Sequence, residues 1–121
     1  MPAAPISRII LYVRDMPKMA AFYQRHFAFR AEVSDAKDKI VLNFPAGGCK
    51  LVLLQASKGH KIGQSCVKLV FDVEDVSAAI AEQLKLGLKF GPIWRGSGYE
   101  FSNARDPAKN LIQLSTGHLK T

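Results

Sequence analysis

Two cysteines, Cys49 and Cys66, are all that 121 residues offer. Neither stands in a C-x-x-C or zinc-type spacing, so a disulfide framework and a zinc ribbon are excluded and both are expected as ordinary reduced thiols. Acidic residues are also scarce: 10 Asp and Glu face 17 Lys and Arg, a net charge of +7 that biases any charged partner toward an anion. The cations are scattered, with no zinc-finger or RNP-like motif and no basic stripe with interleaved aromatics, so nucleic acid is not the expected partner. No run of about 18 apolar residues exists to cross a membrane. The opening MPAAPIS lacks the basic start and continuous apolar stretch of an export signal, and the expected location is cytoplasmic. The RGSG tract at 95–98 has no Gly-Lys-Ser/Thr opening a helix after it, which leaves a hairpin connection and not a phosphate loop.

What the chain does have is repetition. With 48% hydrophobic residues it is long enough for one compact domain and short for two independent ones. An offset of sixty pairs Arg8 with Lys68, Leu11 with Phe71, Val13 with Val73, Asp15 with Asp75 and Ala21 with Ala81. In ISRIILYV, alternation puts Ser7, Ile9, Leu11 and Val13 on one strand face and Arg8, Ile10 and Tyr12 on the other. In CVKLVFDV it puts Val67, Leu69, Phe71 and Val73 opposite Lys68, Val70 and Asp72. Each strand is expected to bury one whole side and leave the other mixed.

Each strand runs into an aspartate placed to cap a helix. After Asp15, with Pro17 in the first turn, Met16, Met19, Ala20, Tyr23 and Phe27 recur at helical spacing. After Asp75, Val76, Ala79, Ile80, Gln83 and Leu84 do the same, and Gly87 offers a left-handed stop. Short strand-like runs follow: FRAEV (29–33), KIVLNF (39–44) and KLVLLQ (50–55), then LKF (88–90), YEFSN (99–103) and NLIQLS (110–115), with DAKDK, PAGG, GPIWRGSG and RDPAK supplying turns. The reading is βαβββ written twice, an α+β chain with module one at 5–55, a linker at 56–65 (ASKGHKIGQS) and module two at 66–116, within one domain, 1–121.

V-x-D closing the first strand, FY in the first helix, FAF after it and DPAKNLIQL near the C-terminus, in this order and with the repeat, resemble the vicinal oxygen chelate superfamily of glyoxalases, bleomycin-resistance proteins and extradiol dioxygenases. The resemblance spans nearly the whole chain. It implies two βαβββ modules whose mixed sheets curl into a cup, completed in a homodimer. Two departures stand out: Ala28 and Lys109 occupy positions where the family usually has glycine. If the Lys109 turn keeps a left-handed residue, the side chain costs on the order of 1 kcal/mol.

Metal-using members take four ligands from the cup-facing sides of the first and last strand of each module. The resemblance carries those positions onto Arg8, Val52, Lys68 and Gln113. Arginine, protonated lysine and valine offer no lone pair, and one amide oxygen is not a site. Two cations there would add repulsion of roughly 4 kcal/mol per unit-charge pair at 4 Å in an effective dielectric near 20. The expectation is no metal and no cofactor. His26, His60 and His118 fall on a helix end, the linker and the tail, and an alternative set of His26, Glu32, Glu100 and His60 shares no face.

The cup face is expected to present Arg8, Ile10, Tyr12, Val52, Leu54, Lys68, Val70, Asp72, Gln113 and Ser115. Of these Arg8, Tyr12, Lys68, Asp72 and Gln113, together with Trp94 from the IWRGSGYEF stretch, are the candidate ligand-binding residues. An arginine fork and a lysine suit a carboxylate or phosphate, and Tyr12 suits a flat ring. Trp94 with Arg95 reads equally as a lid or a dimer anchor, and Arg8 equally as a partner of Asp72 or Glu100. The function expected is metal-free binding of a small anionic or aromatic molecule. The alternatives are a metal-dependent lyase or dioxygenase and a non-catalytic interaction domain.

Overall fold

The computed structural model describes residues 6–59 and 67–117. The chain divides into two compact units, Met1–Ile62 and Gly63–Thr121, each built to the same plan.

In the first unit the strand β1 (Arg8–Val13) leads into the helix α1 (Met16–Phe27), followed by β2 (Arg30–Ala31), β3 (Lys39–Asn43) and β4 (Lys50–Gln55). The sheet order is β1-β4-β3-β2, with β1 parallel to β4 and the remaining pairs antiparallel. The crossover through α1 makes that parallel pair possible, because parallel neighbours need a long connection. Asp15 starts the helix by accepting from the Lys18 amide at 3.0 Å. Its stripe of Met16, Met19, Ala20, Tyr23 and Phe27 is buried as the spacing predicts. Tyr23 has no exposed surface, and it meets Phe29 edge to face at 6.0 Å. Full burial of one such side chain contributes about 1.5–3 kcal/mol, so this stripe anchors the helix to the sheet.

The second unit repeats the order: β5 (Lys68–Asp72), α2 (Val76–Lys85), β6 (Trp94–Arg95), β7 (Glu100–Arg105) and β8 (Leu111–Ser115). Its sheet runs β5-β8-β7-β6, again with one parallel pair, β5 beside β8. Asp75 accepts from the Ala78 amide at 3.0 Å, and Gly87 ends α2 at φ 96°. Both βαβββ modules of the sequence reading are present, in an α+β fold.

Several details differ. Leu88–Phe90 is not a strand: the Leu88 amide caps α2 by donating to the Gln83 carbonyl at 2.9 Å, and Phe90 turns into the core. The pairing moves to Trp94–Arg95, where the tract expected to be loop lies antiparallel to β7. RGSG then closes a tight turn, with the Gly96 amide donating to the Tyr99 carbonyl at 2.9 Å. Of the faces expected to be wholly buried, Val13 and Leu69 are buried, but Ile9, Leu11, Phe71 and Val73 are half-buried and Ser7 and Val67 are exposed. Leu84, placed on the apolar stripe of α2, is also exposed, while Gln83 beside it is buried. Ala56 belongs to module one and not to a linker, since it is buried and its amide donates to the Val13 carbonyl at 2.8 Å. Most of the expected linker lies outside the described residues.

Candidate functional site

Strand pleating gives each sheet a face turned away from its helix, and the registers define what each face carries. In module one, Arg8 stands opposite Lys50, Ile10 opposite Val52 and Tyr12 opposite Leu54 across the parallel ladder. Val41 then faces Val52, and Lys39 faces Leu54. The Glu32 amide donates to the Val41 carbonyl at 2.9 Å, which brings Glu32 to the same face. The result is graded along the strands: cations at one end, an apolar strip of Ile10, Val52, Val41 and Leu54, then Lys39 and Tyr12.

This face holds a concavity of about 400 Å³ lined by Arg8, Ile10, Glu32, Lys39, Val41, Lys50, Val52 and Leu54. Its size is that of a small-molecule pocket, and its lining is an apolar floor with three cations and one carboxylate at the rim. Glu32 has two partners at the exposed edge of the cleft. Asn43 Nδ2 donates to its Oε2 at 2.7 Å, and Lys50 Nζ sits 3.5 Å from the same oxygen. The Asn43 hydrogen bond, with attraction to Lys50 and Lys39, outweighs desolvation and keeps the Glu32 carboxyl below its ordinary pKa. Arg8 has no carboxylate within ion-pair distance among the described residues.

In module two the corresponding face runs in three cross-strand rows. Lys68 lies beside Leu111 and Arg105, Val70 beside Gln113 and Asn103, and Asp72 beside Ser115, Phe101 and Trp94. Gln113 Nε2 donates to Asn103 Oδ1 at 2.9 Å, fixing both amides. Tyr99 stacks on Phe101 at 5.8 Å between ring centroids, so the Trp94 end of this face is aromatic. Arg105 is committed elsewhere, since its Nη1 donates to the Lys109 carbonyl at 2.8 Å.

The structure places Arg8 and Tyr12 on the open face of module one, and Lys68, Asp72, Gln113 and Trp94 on that of module two. Trp94 is 54% exposed and sits on a paired strand rather than a free lid. Arg95 is no lid residue either, because its Nε donates to Glu100 Oε2 at 2.9 Å across the hairpin. Lys39, Lys50 and Asn43 are not among the site residues expected from the sequence, and Glu32 enters there only in the alternative metal-ligand set. For Lys50 the signal was present: the alternation that puts Val52 and Leu54 on the face also puts Lys50 there. Lys39, Asn43 and Glu32 needed the register of β3, which turn-rich flanks leave open.

The four positions carried over from metal-using relatives do not fit a divalent ion. Arg8, Lys68 and Val52 offer no donor, and the Gln113 amide oxygen, whose neighbouring Nε2 donates to Asn103, is one ligand and not a site. Among the described residues no three His, Cys, Asp or Glu side chains gather closely enough to hold a metal. His60, His118 and Cys66 lie outside the described residues. No described helix is long and apolar enough to cross a membrane.

A protein from the mobile metagenome of V. Pseudocholerae is 26% identical, with a TM-score of 0.73 and 95% of each chain covered. A virulence protein from Salmonella typhimurium is 25% identical at a TM-score of 0.73, over 95% of this chain and 98% of the other. TnmS3, an antibiotic binding protein from Streptomyces sp. CB03234, shares the fold at a TM-score of 0.79 with 19% identity, over 94% of this chain and 96% of its own. No curated protein matches the chain. The family model described as Glyoxalase/Bleomycin resistance protein/Dioxygenase superfamily matches residues 6–114, and the chain belongs to that superfamily.

Proposed function

We propose that this protein binds a small anionic molecule with an apolar or aromatic body, without using a metal ion. One observation carries the reading: the cleft of module one sets Arg8, Lys39 and Lys50 around an apolar floor, with Glu32 the sole carboxylate in its lining. Arginine and lysine recognise carboxylate and phosphate oxygens, while the valine, isoleucine and leucine floor receives the apolar body. Taken by itself, the aromatic end of module two, with Trp94, Phe101 and Tyr99, is a surface on which a flat ring can stack. An antibiotic-binding protein is built on the same fold, which is compatible with a binding role. A homodimer and a cytoplasmic location belong to the same proposal. The homodimer is supported by the large exposed apolar side chains on the open faces, Ile10, Tyr12, Val70 and Trp94, and light scattering checks the mass.

The test is a thermal-shift and calorimetric screen of organic acids, phosphate esters and neutral aromatics of matched size. Anionic aromatics are expected to raise the melting temperature and to lose affinity in Arg8→Met. A screen in which only neutral compounds bind would overturn the anionic assignment.

A further inference from the structure

Glu32 stands in a cationic cleft where a ligand's negative charge would have to go. It is the one acid in the lining, clamped by Asn43 at 2.7 Å and facing Lys50 at 3.5 Å. Lys50 and Arg8 are direct neighbours across β1 and β4, so one anionic group can reach both. Of those two cations, Arg8 has no ion-pair partner among the described residues, whereas Lys50 is already neutralised from within the protein. The pair is exposed, 51% for the Lys50 side chain and 41% for Glu32, which makes the contact weak enough to break.

We propose that Glu32 is a built-in counter-ion for Lys50, displaced when a dianionic head group bridges Arg8 and Lys50, and that it thereby sets the charge a ligand must bring. This rests on the anion-binding reading above, but makes a separate claim about one residue. With Glu32 in place, a ligand must outcompete an internal carboxylate to gain Lys50. Without it, Lys50 is free and the repulsion between Glu32 and the ligand is gone. Asn43 still has an acceptor if Glu32 becomes glutamine, so the loop geometry is retained.

The experiment is titration calorimetry with phenylphosphonate at about pH 8, where the second phosphonate proton is largely lost, in low salt. It compares the intact chain with Glu32→Gln, Lys50→Met and the double variant, each shown by its melting transition to be folded. Glu82→Gln, an exposed site on α2, controls for net charge. Glu32→Gln is expected to bind about fivefold tighter, the upper range for an exposed ion pair. Glu82→Gln should leave affinity unchanged, and most of the gain should be lost when Lys50 is also methionine, leaving only the relief of repulsion between Glu32 and the ligand. Equal or weaker binding by Glu32→Gln, or the same gain in Glu82→Gln, overturns the counter-ion role while leaving anion binding standing. Failure of the intact chain and every variant to bind phenylphosphonate removes the anion reading and this inference together.

Discussion

Ala28 and Lys109 both hold left-handed backbone, at φ 59° and 68°, where a Cβ is unfavourable. At Ala28 the need is plain, because the Phe29 amide reaches back to the Tyr23 carbonyl at 3.3 Å to close α1. Ala28→Gly and Lys109→Gly are each expected to stabilise the fold by about 1 kcal/mol, read as a shift in the urea midpoint. Asp106 is the opposite case. Its buried carboxylate accepts from the Ala108 and Asn110 amides at 2.9 and 2.8 Å and from Asn110 Nδ2 at 2.9 Å. Asp106→Ala leaves those donors unsatisfied and should destabilise by about 2–3 kcal/mol. Glu32 adds a pH effect. Its folded pKa lies below the ordinary value of 4.5, so the unfolded chain takes up the proton first. The stability it contributes is present above that value and is lost as pH falls through the folded pKa. Chemical denaturation at successive acid pH values should show a shallower loss in Glu32→Gln, and an unchanged slope would remove this contribution.

At the level of elements, the two helix starts behave alike because Asp15 and Asp75 do the same work, each accepting from an amide three residues on at 3.0 Å. Replacing either aspartate with alanine should lower stability by about 1 kcal/mol in equilibrium unfolding. The helices were legible because a 3.6-residue stripe needs no partner to be recognised, and α1 buries the five residues its spacing names. Short strands were not. Trp94–Arg95 exists only because Glu100 and Phe101 present a ladder edge to it, and Leu88–Phe90 is claimed by the α2 cap and the core instead. Two-residue strands carry too little periodicity to compete with such tertiary demands.

At the scale of the whole molecule, the +7 charge and the cationic cleft make any anion affinity depend on ionic strength. Binding to the intact chain should weaken as salt rises from about 0.05 to 0.5 M, since the screening length contracts severalfold over that range. Salt-independent binding would point to the apolar floor alone as the recognition element.

The order of elements, the two aspartate caps, the helix cores and the placement of Arg8 and Lys68 on strand faces away from the helices came from periodicity and spacing, which are properties of the chain taken locally. The clamp of Asn43 and Lys50 on Glu32, the addition of Val41 and Lys39 to the face behind Arg8 and the edge strand at Trp94 were decided only by tertiary structure. Each depends on which residues of separate strands lie side by side, and that register is set by burial of one sheet face as a whole and not by any single segment.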